Sequence, residues 1–131
     1  MKIKRITHIG IAVKDTQKAK KPYLEILPLE ISEEGSGGGY KTVFMTIGQT
    51  NLELVESNDP NENLNIFIKE KGEGIHHIAL EVEDIDQALE ELKAKGVPLL
   101  DQQPRPGAQN SRIVFLDPVN FNGVVVELVQ Y

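Results

Sequence analysis

The feature that most constrains this chain is an internal repeat. Residues 8–13 read His-Ile-Gly-Ile-Ala-Val before Lys14-Asp15, and residues 77–82 read His-Ile-Ala-Leu-Glu-Val before Glu83-Asp84. A second echo follows each: Leu52-Glu53-Leu54-Val55, then Val126-Glu127-Leu128-Val129. His and Glu stand 45 residues apart in the first half and 50 in the second. Two matches in the same order and at similar spacing mark a duplication. A length of 131 residues leaves room for one domain made of two such halves.

Each half reads β-α-β-β-β. Alternation over 5–13 predicts a strand, and Asp15 is an N-cap for a helix reaching about Leu27. Pro22 either kinks that helix or sits in the first turn of a later one, and Pro28 stops it. A strand over 29–34, a flexible loop at Ser36–Gly39 and a hairpin of 40–47 with 51–56 complete the half. A helix over 62–71, ended by Gly72, links the halves. The second half opens with a strand over 75–82. Asp84 and Gln87 then have capping-box spacing, and Ile85, Ala88, Leu89 and Leu92 share one helical face. Gly96 is a natural stop. A short strand at 97–100, a loop at Pro104–Gly107 and strands over 111–116 and 123–130 finish the chain.

Composition narrows the chemistry by exclusion. There is no cysteine, so disulfides, Cys-based zinc sites and thiol nucleophiles are out. Fourteen basic against 20 acidic residues give −6, which argues against nucleic acid. No apolar run is long enough to span a bilayer, and Met1–Arg5 is not followed by a signal-like apolar segment, so a cytoplasmic protein without membrane partners is expected. No P-loop or nucleophile elbow is present. The acidic run Glu81, Glu83, Asp84 reads as a solvated strand end.

Side chains alternate across a strand. Ile9, Ile11 and Val13 therefore share one face, suited to packing on the helix, and His8, Gly10 and Ala12 share the other. Ile78, Leu80 and Val82 stand against His77, Ala79 and Glu81 in the same way. Glu53 lies between Leu52 and Leu54, and Glu127 between Val126 and Leu128, so both turn from the apolar face. Each half thus presents one His and one Glu opposite its helix. Two imidazoles and two carboxylates meeting in one cleft suit a divalent cation with positions left for water or substrate. His76 points the other way and is matched by Thr7, so it reads as structural. The loop Gln103–Asn110 offers Arg105 as an anion contact, and Lys41 and Arg112 are further cations.

Taken together, these residues resemble the vicinal oxygen chelate superfamily, which includes glyoxalase I, extradiol dioxygenases and antibiotic-resistance proteins. Three stretches resemble its methylmalonyl-CoA epimerase branch: Lys71-Gly72-Glu73-Gly74-Ile75-His76-His77-Ile78-Ala79, Pro104-Arg105-Pro106-Gly107-Ala108, and Phe115-Leu116-Asp117-Pro118 leading to Gly123–Leu128. The resemblance implies an α+β fold over 1–131: two tandem βαβββ modules, about 3–57 and 75–131, around a linker helix at about 60–72, forming a half-open, barrel-like mixed sheet around a metal cleft.

It also implies that His8, Glu53, His77 and Glu127 bind the metal, with Glu127 and Glu53 the candidate catalytic carboxylates and Arg105 a substrate contact. One divalent ion is implied, cobalt favoured over nickel, manganese or zinc. The implied reaction is epimerisation of methylmalonyl-CoA at C2, by proton abstraction through a metal-stabilised enolate, in a homodimer acting on an acyl-CoA. The alternatives are glyoxalase I or another metal-dependent lyase or isomerase of the superfamily, and a non-catalytic binding module, for which the His/Glu quartet is superfluous. One departure stands out. Where some relatives carry a second carboxylate near the third strand, this chain has Thr42, with Glu33 and Glu34 offset.

Overall fold

A computed structural model describes residues 1–131. The elements run β1 (Ile3–Ala12), α1 (Thr16–Glu25), β2 (Glu33–Gly37), β3 (Tyr40–Ile47), β4 (Thr50–Ser57), α2 (Asn63–Lys71), β5 (Gly74–Val82), α3 (Ile85–Ala94), β6 (Arg105–Pro106), β7 (Arg112–Leu116) and β8 (Val125–Gln130). The fold is α+β, and β-α-β-β-β occurs twice with α2 between. The chain forms two compact units, one of residues 8–76 and one of residues 1–7 with 77–131. β1 contributes to both. Its alternation changes phase at their junction, where the adjacent residues Thr7 and His8 are both buried.

In the unit of residues 8–76 the strand order is β2-β3-β4-β1. β4 runs parallel to β1, and the other neighbours are antiparallel. On one face Val13, Val43, Met45 and Leu54 pack with Ile11 and with Ala19 and Tyr23 of α1. On the other, Ala12 and Val55 pack with Leu64 and Ile68 of α2. α1 starts where the sequence places it: the Asp15 carboxylate accepts from the N–H groups of Gln17 and Lys18 at 3.0 and 3.2 Å. Buried Thr16 adds a tie to β4, donating its N–H and hydroxyl to Glu56, each at 3.0 Å. Pro22 sits inside the helix, which neither starts late nor stops there. A proline in that place costs about 3 kcal/mol. Ala19 and Tyr23 on either side of it pack, partly buried, against the sheet.

In the other unit, residues 3–7 of β1 are followed in order by β5, β8, β7 and β6. β5 and β8 are parallel, and β7 is antiparallel to both β8 and β6. α3 lays Ile85, Ala88, Leu89 and Leu92 against Val82, Val114, Leu116 and Leu128. Each of its large aliphatics contributes roughly 1.5–3 kcal/mol by leaving water. The opposite face carries Ala79, Ile113, Val129 and Phe115. The N-terminal segment is tied in by Arg5 Nε on Glu81 at 2.5 Å and by the Thr7 and Tyr131 hydroxyls at 2.6 Å.

Several expectations need correction. The strand expected over 29–34 lies at Glu33–Gly37, because Leu29 and Ile31 are used as core residues under α1 instead. The Ser36–Gly39 segment is not a flexible loop: Ser36 and Gly37 pair with Lys41 and Tyr40, and only Gly38 and Gly39, both at positive φ, make the turn. Residues 97–100 supply a single bridge, Leu99 to Leu116, while the expected loop supplies the edge strand, Arg105–Pro106. Asp84 caps α3 through the Gln87 N–H at 3.1 Å. Glu81 is no solvated strand end, since its side chain is 13% exposed and takes the Arg5 guanidinium.

Candidate metal and proton-transfer site

The same three-residue arrangement is built once in each unit. In residues 8–76, register sets Glu53 of β4 opposite Phe44 of β3 and beside Gly10 of β1. Paired residues of neighbouring strands share a face, so Glu53 and Phe44 lie on the face away from α1. His8 Nε2 is 3.6 Å from Glu53 Oε1, and both side chains are buried. The Phe44 ring meets the imidazole edge to face, with centroids 6.1 Å apart and planes at 82°. In the other unit Glu127 of β8 lies opposite Phe115 of β7 and beside Ala79 of β5. His77 Nε2 is 3.0 Å from Glu127 Oε2, both again buried. Phe115 packs edge to face on His77 at 5.4 Å and 89°.

The two phenylalanines were missed in the sequence, although the signal was there. Thr42-Val43-Phe44-Met45 and Ile113-Val114-Phe115-Leu116 are a third echo of the duplication. Gly10 and Ala79 explain how large side chains fit on this face. The residue next to each glutamate on the parallel strand is small.

An ionised carboxylate taken out of water costs several kcal/mol unless an opposite charge compensates it. A divalent cation supplies that charge. Imidazole nitrogens with carboxylate oxygens are also a donor set that divalent transition metals accept. The grouped residues His8, His77 and Glu127 are therefore of types that fit such an ion.

Arg105 is positioned by its neighbours. Its Nε bonds Asp101 at 3.1 Å, and its guanidinium lies 5.2 Å from the centre of the Phe115 ring, the ring that packs on His77. The other oxygen of Asp101 accepts from the Phe115 N–H at 2.9 Å, so one carboxylate holds both partners. Arg105 keeps 40% of its side chain in solvent, enough to meet an anion. Arg112 is engaged elsewhere: both its terminal nitrogens bond Asp86, at 2.8 and 2.9 Å. That hydrogen bonding holds the Asp86 carboxyl below its usual range and raises the guanidinium. Lys41 stands on the face opposite Phe44, three residues along the same strand. His76 packs edge to face on Phe67 of α2 at 5.1 Å, in keeping with a structural role.

Residues 7–115 match the family model described as the Glyoxalase/Bleomycin resistance protein/Dioxygenase superfamily. The chain is 36% identical over 132 residues to the ethylmalonyl-CoA/methylmalonyl-CoA epimerase of Cereibacter sphaeroides, covering 98% of each. Two solved structures superpose with TM-scores of 0.92 at 31% identity, over 98% of this chain and 95% of theirs. One is a variant of the Streptomyces coelicolor methylmalonyl-CoA epimerase with 2-nitronate-propionyl-CoA, and the other is a methylmalonyl-CoA epimerase with methylmalonyl-CoA and NH4+. By its fold, its repeated His–Glu–Phe arrangement and these relatives, the chain belongs to the glyoxalase/bleomycin resistance protein/dioxygenase superfamily, alongside its methylmalonyl-CoA epimerases.

Proposed function

We propose that this protein is an isomerase that inverts C2 of methylmalonyl-CoA. The observation that carries the reading is the duplicated buried His–Glu pair in a chain that an epimerase relative matches over 98% of its length. His8, Glu53, His77 and Glu127 would hold one divalent cation, cobalt by preference, which when bound supplies Lewis-acid stabilisation of negative charge on the substrate. Glu127 accepts the C2 proton, and the electron pair left behind moves toward the thioester oxygen. Glu53 supplies the matching carboxylate of the first half. Phe44 and Phe115 fix the two imidazole planes and keep water off them. Arg105 takes an anionic group of the substrate, its carboxylate or a phosphate of the CoA. The whole of residues 1–131 then works as one domain, in a cytoplasmic homodimer.

The test uses the cobalt-loaded protein and one epimer of methylmalonyl-CoA in heavy water. The expected result is interconversion of the epimers with deuterium entering C2. Glu127→Gln should slow it by about 10²- to 10⁴-fold, with the metal-free protein melting as before. Full activity in that variant overturns the role of Glu127. No exchange at C2 by metal-loaded protein, together with turnover of a glutathione hemithioacetal, replaces this reading with the glyoxalase one.

A further inference from the structure

Two arginines stand at the β6–β7 edge, and their surroundings differ. Arg112 has both terminal nitrogens bonded to Asp86. Arg105 is bonded through Nε alone, to Asp101 at 3.1 Å, and its two terminal nitrogens bond to no protein acceptor. A guanidinium held this way keeps its two-nitrogen end open. That fork matches the paired oxygens of a carboxylate or a phosphate.

Asp101 is itself fixed, although it lies outside every strand. β6 is two residues long and reaches only Arg112 and Ile113 of β7. Farther along, residues 99–101 complete that edge. Leu99 bridges to Leu116, and the N–H groups of Leu100 and Asp101 donate to the Phe115 carbonyl at 2.9 and 3.2 Å. Asp101 Oδ2 accepts from the Phe115 N–H at 2.9 Å. One carboxylate oxygen thus stands in for the carbonyl of a neighbouring strand, and the other takes Arg105. Both backbone groups of Phe115 point to this edge, so its pairing with Glu127 is the non-hydrogen-bonded kind. In such a pair the Cα atoms are about 4.5 Å apart and the side chains stand closest. Asp101 therefore fixes both the arginine fork and the ring next to His77 and Glu127.

By charge alone, a carboxylate beside an arginine weakens that arginine's pull on a second anion. What the pair supplies is direction. A long, partly exposed side chain samples many rotamers, and holding it in one beforehand lowers the ordering cost of binding. From this geometry we infer that Asp101 is a positioning residue: it aims the terminal fork of Arg105 at a paired-oxygen anionic group of the substrate. This role rests on the epimerase reading above. Arg105 touches the substrate, and Asp101 acts through it.

The experiment measures KM, kcat and melting for cobalt-loaded wild type, Asp101→Asn, Asp101→Glu, Asp86→Asn, Arg105→Gln and the double variant Asp101→Asn with Arg105→Gln, each turning over methylmalonyl-CoA. Asparagine keeps the size but has a single oxygen, so it can accept from Arg105 or from Phe115 and not from both. Asp101→Asn should raise KM by about 5- to 20-fold, with kcat within about twofold, because the grip on the anion is the same in ground and transition states. Asp101→Glu, which keeps the charge and both oxygens, should raise KM less. Asp86→Asn, which frees the other arginine, should match the wild type. With Arg105→Gln already present, Asp101→Asn should change KM no further, whatever it does to melting. The same KM ratio with the pantetheine thioester, which carries no phosphate, supports the role and identifies the anion as the substrate carboxylate; a ratio seen only with the CoA ester supports it and identifies a phosphate. An unchanged or lower KM in Asp101→Asn overturns the inference, since charge alone would then decide. An equal rise in KM with and without Arg105 also overturns it, because Asp101 would then act only through the strand edge. A wild type that interconverts neither epimer overturns the epimerase reading and this inference with it.

Discussion

Phe115→Leu is the substitution that most directly tests how the site is held. The ring contacts both a His and an Arg: His77 at 5.4 Å, edge to face, and the Arg105 guanidinium at 5.2 Å. Leucine keeps most of the apolar area but has no quadrupole. The edge-to-face contact contributes about 0.5–1.5 kcal/mol beyond area. The cation–π contact of a partly exposed Arg adds about 0.5–1 kcal/mol. Together these predict a loss of roughly 1–2.5 kcal/mol in unfolding free energy, measured by urea denaturation of the metal-free protein. At this chain length each kcal/mol lowers Tm by roughly 3–5 °C. Arg105→Gln alone should cost the cation–π term plus its exposed pair with Asp101, and the double variant should be less destabilised than the sum by about 0.5–1 kcal/mol. Cobalt affinity, titrated in the same samples, should fall for Phe115→Leu and hold for Arg105→Gln. Strict additivity, or equal loss of affinity in both single variants, would refute the reasoning that Phe115 joins Arg105 to His77.

Two further outcomes follow from other parts of the molecule. Gly107→Ala brings a Cβ to 2.5 Å from Ile113 Cγ2 and 2.8 Å from Ser111 Oγ, so unfolding measurements should show a loss of about 1–3 kcal/mol. Partial burial raises the Tyr131 phenol above its ordinary value of 10.0, more than the Thr7 hydrogen bond and Arg5 lower it. The folded state therefore binds this proton more tightly than the unfolded chain. Its contribution is complete below pH 10 and is lost as pH climbs through the folded value; Tyr131→Phe should flatten the stability profile in that alkaline window and nowhere else.

What could be read in advance depended on periodicity. The duplicated His and Glu sit in strands with clean alternation, so their faces follow from counting by twos, and Asp15 and Asp84 mark helix starts by chemistry alone. Local counting failed where long-range pairing decides. Glu33 and Glu34 are indistinguishable neighbours until the register with Phe44 and Val43 assigns them to opposite faces. Leu29 and Ile31 have strand composition, yet they are taken up by the core beneath α1. Glu81 reads as one charge in an acidic run, and only its tie to Arg5, 76 residues away in sequence, explains its burial. Phe44 and Phe115 carried a legible echo, but an aromatic in a strand also has an ordinary explanation as core.

β1 has a consequence for the order in which the chain acquires structure. The unit of residues 8–76 is contiguous, so every pairing within it is available once that stretch has been synthesised. The other unit needs residues 1–7, made before that stretch, to meet residues 77–131, made after it. Closing so long a loop is slow compared with local pairing. Folding that accompanies synthesis should therefore finish the middle of the protein first and leave the N-terminal segment waiting, with Arg5 and Thr7 joining Glu81 and Tyr131 only when the C-terminal strand has emerged.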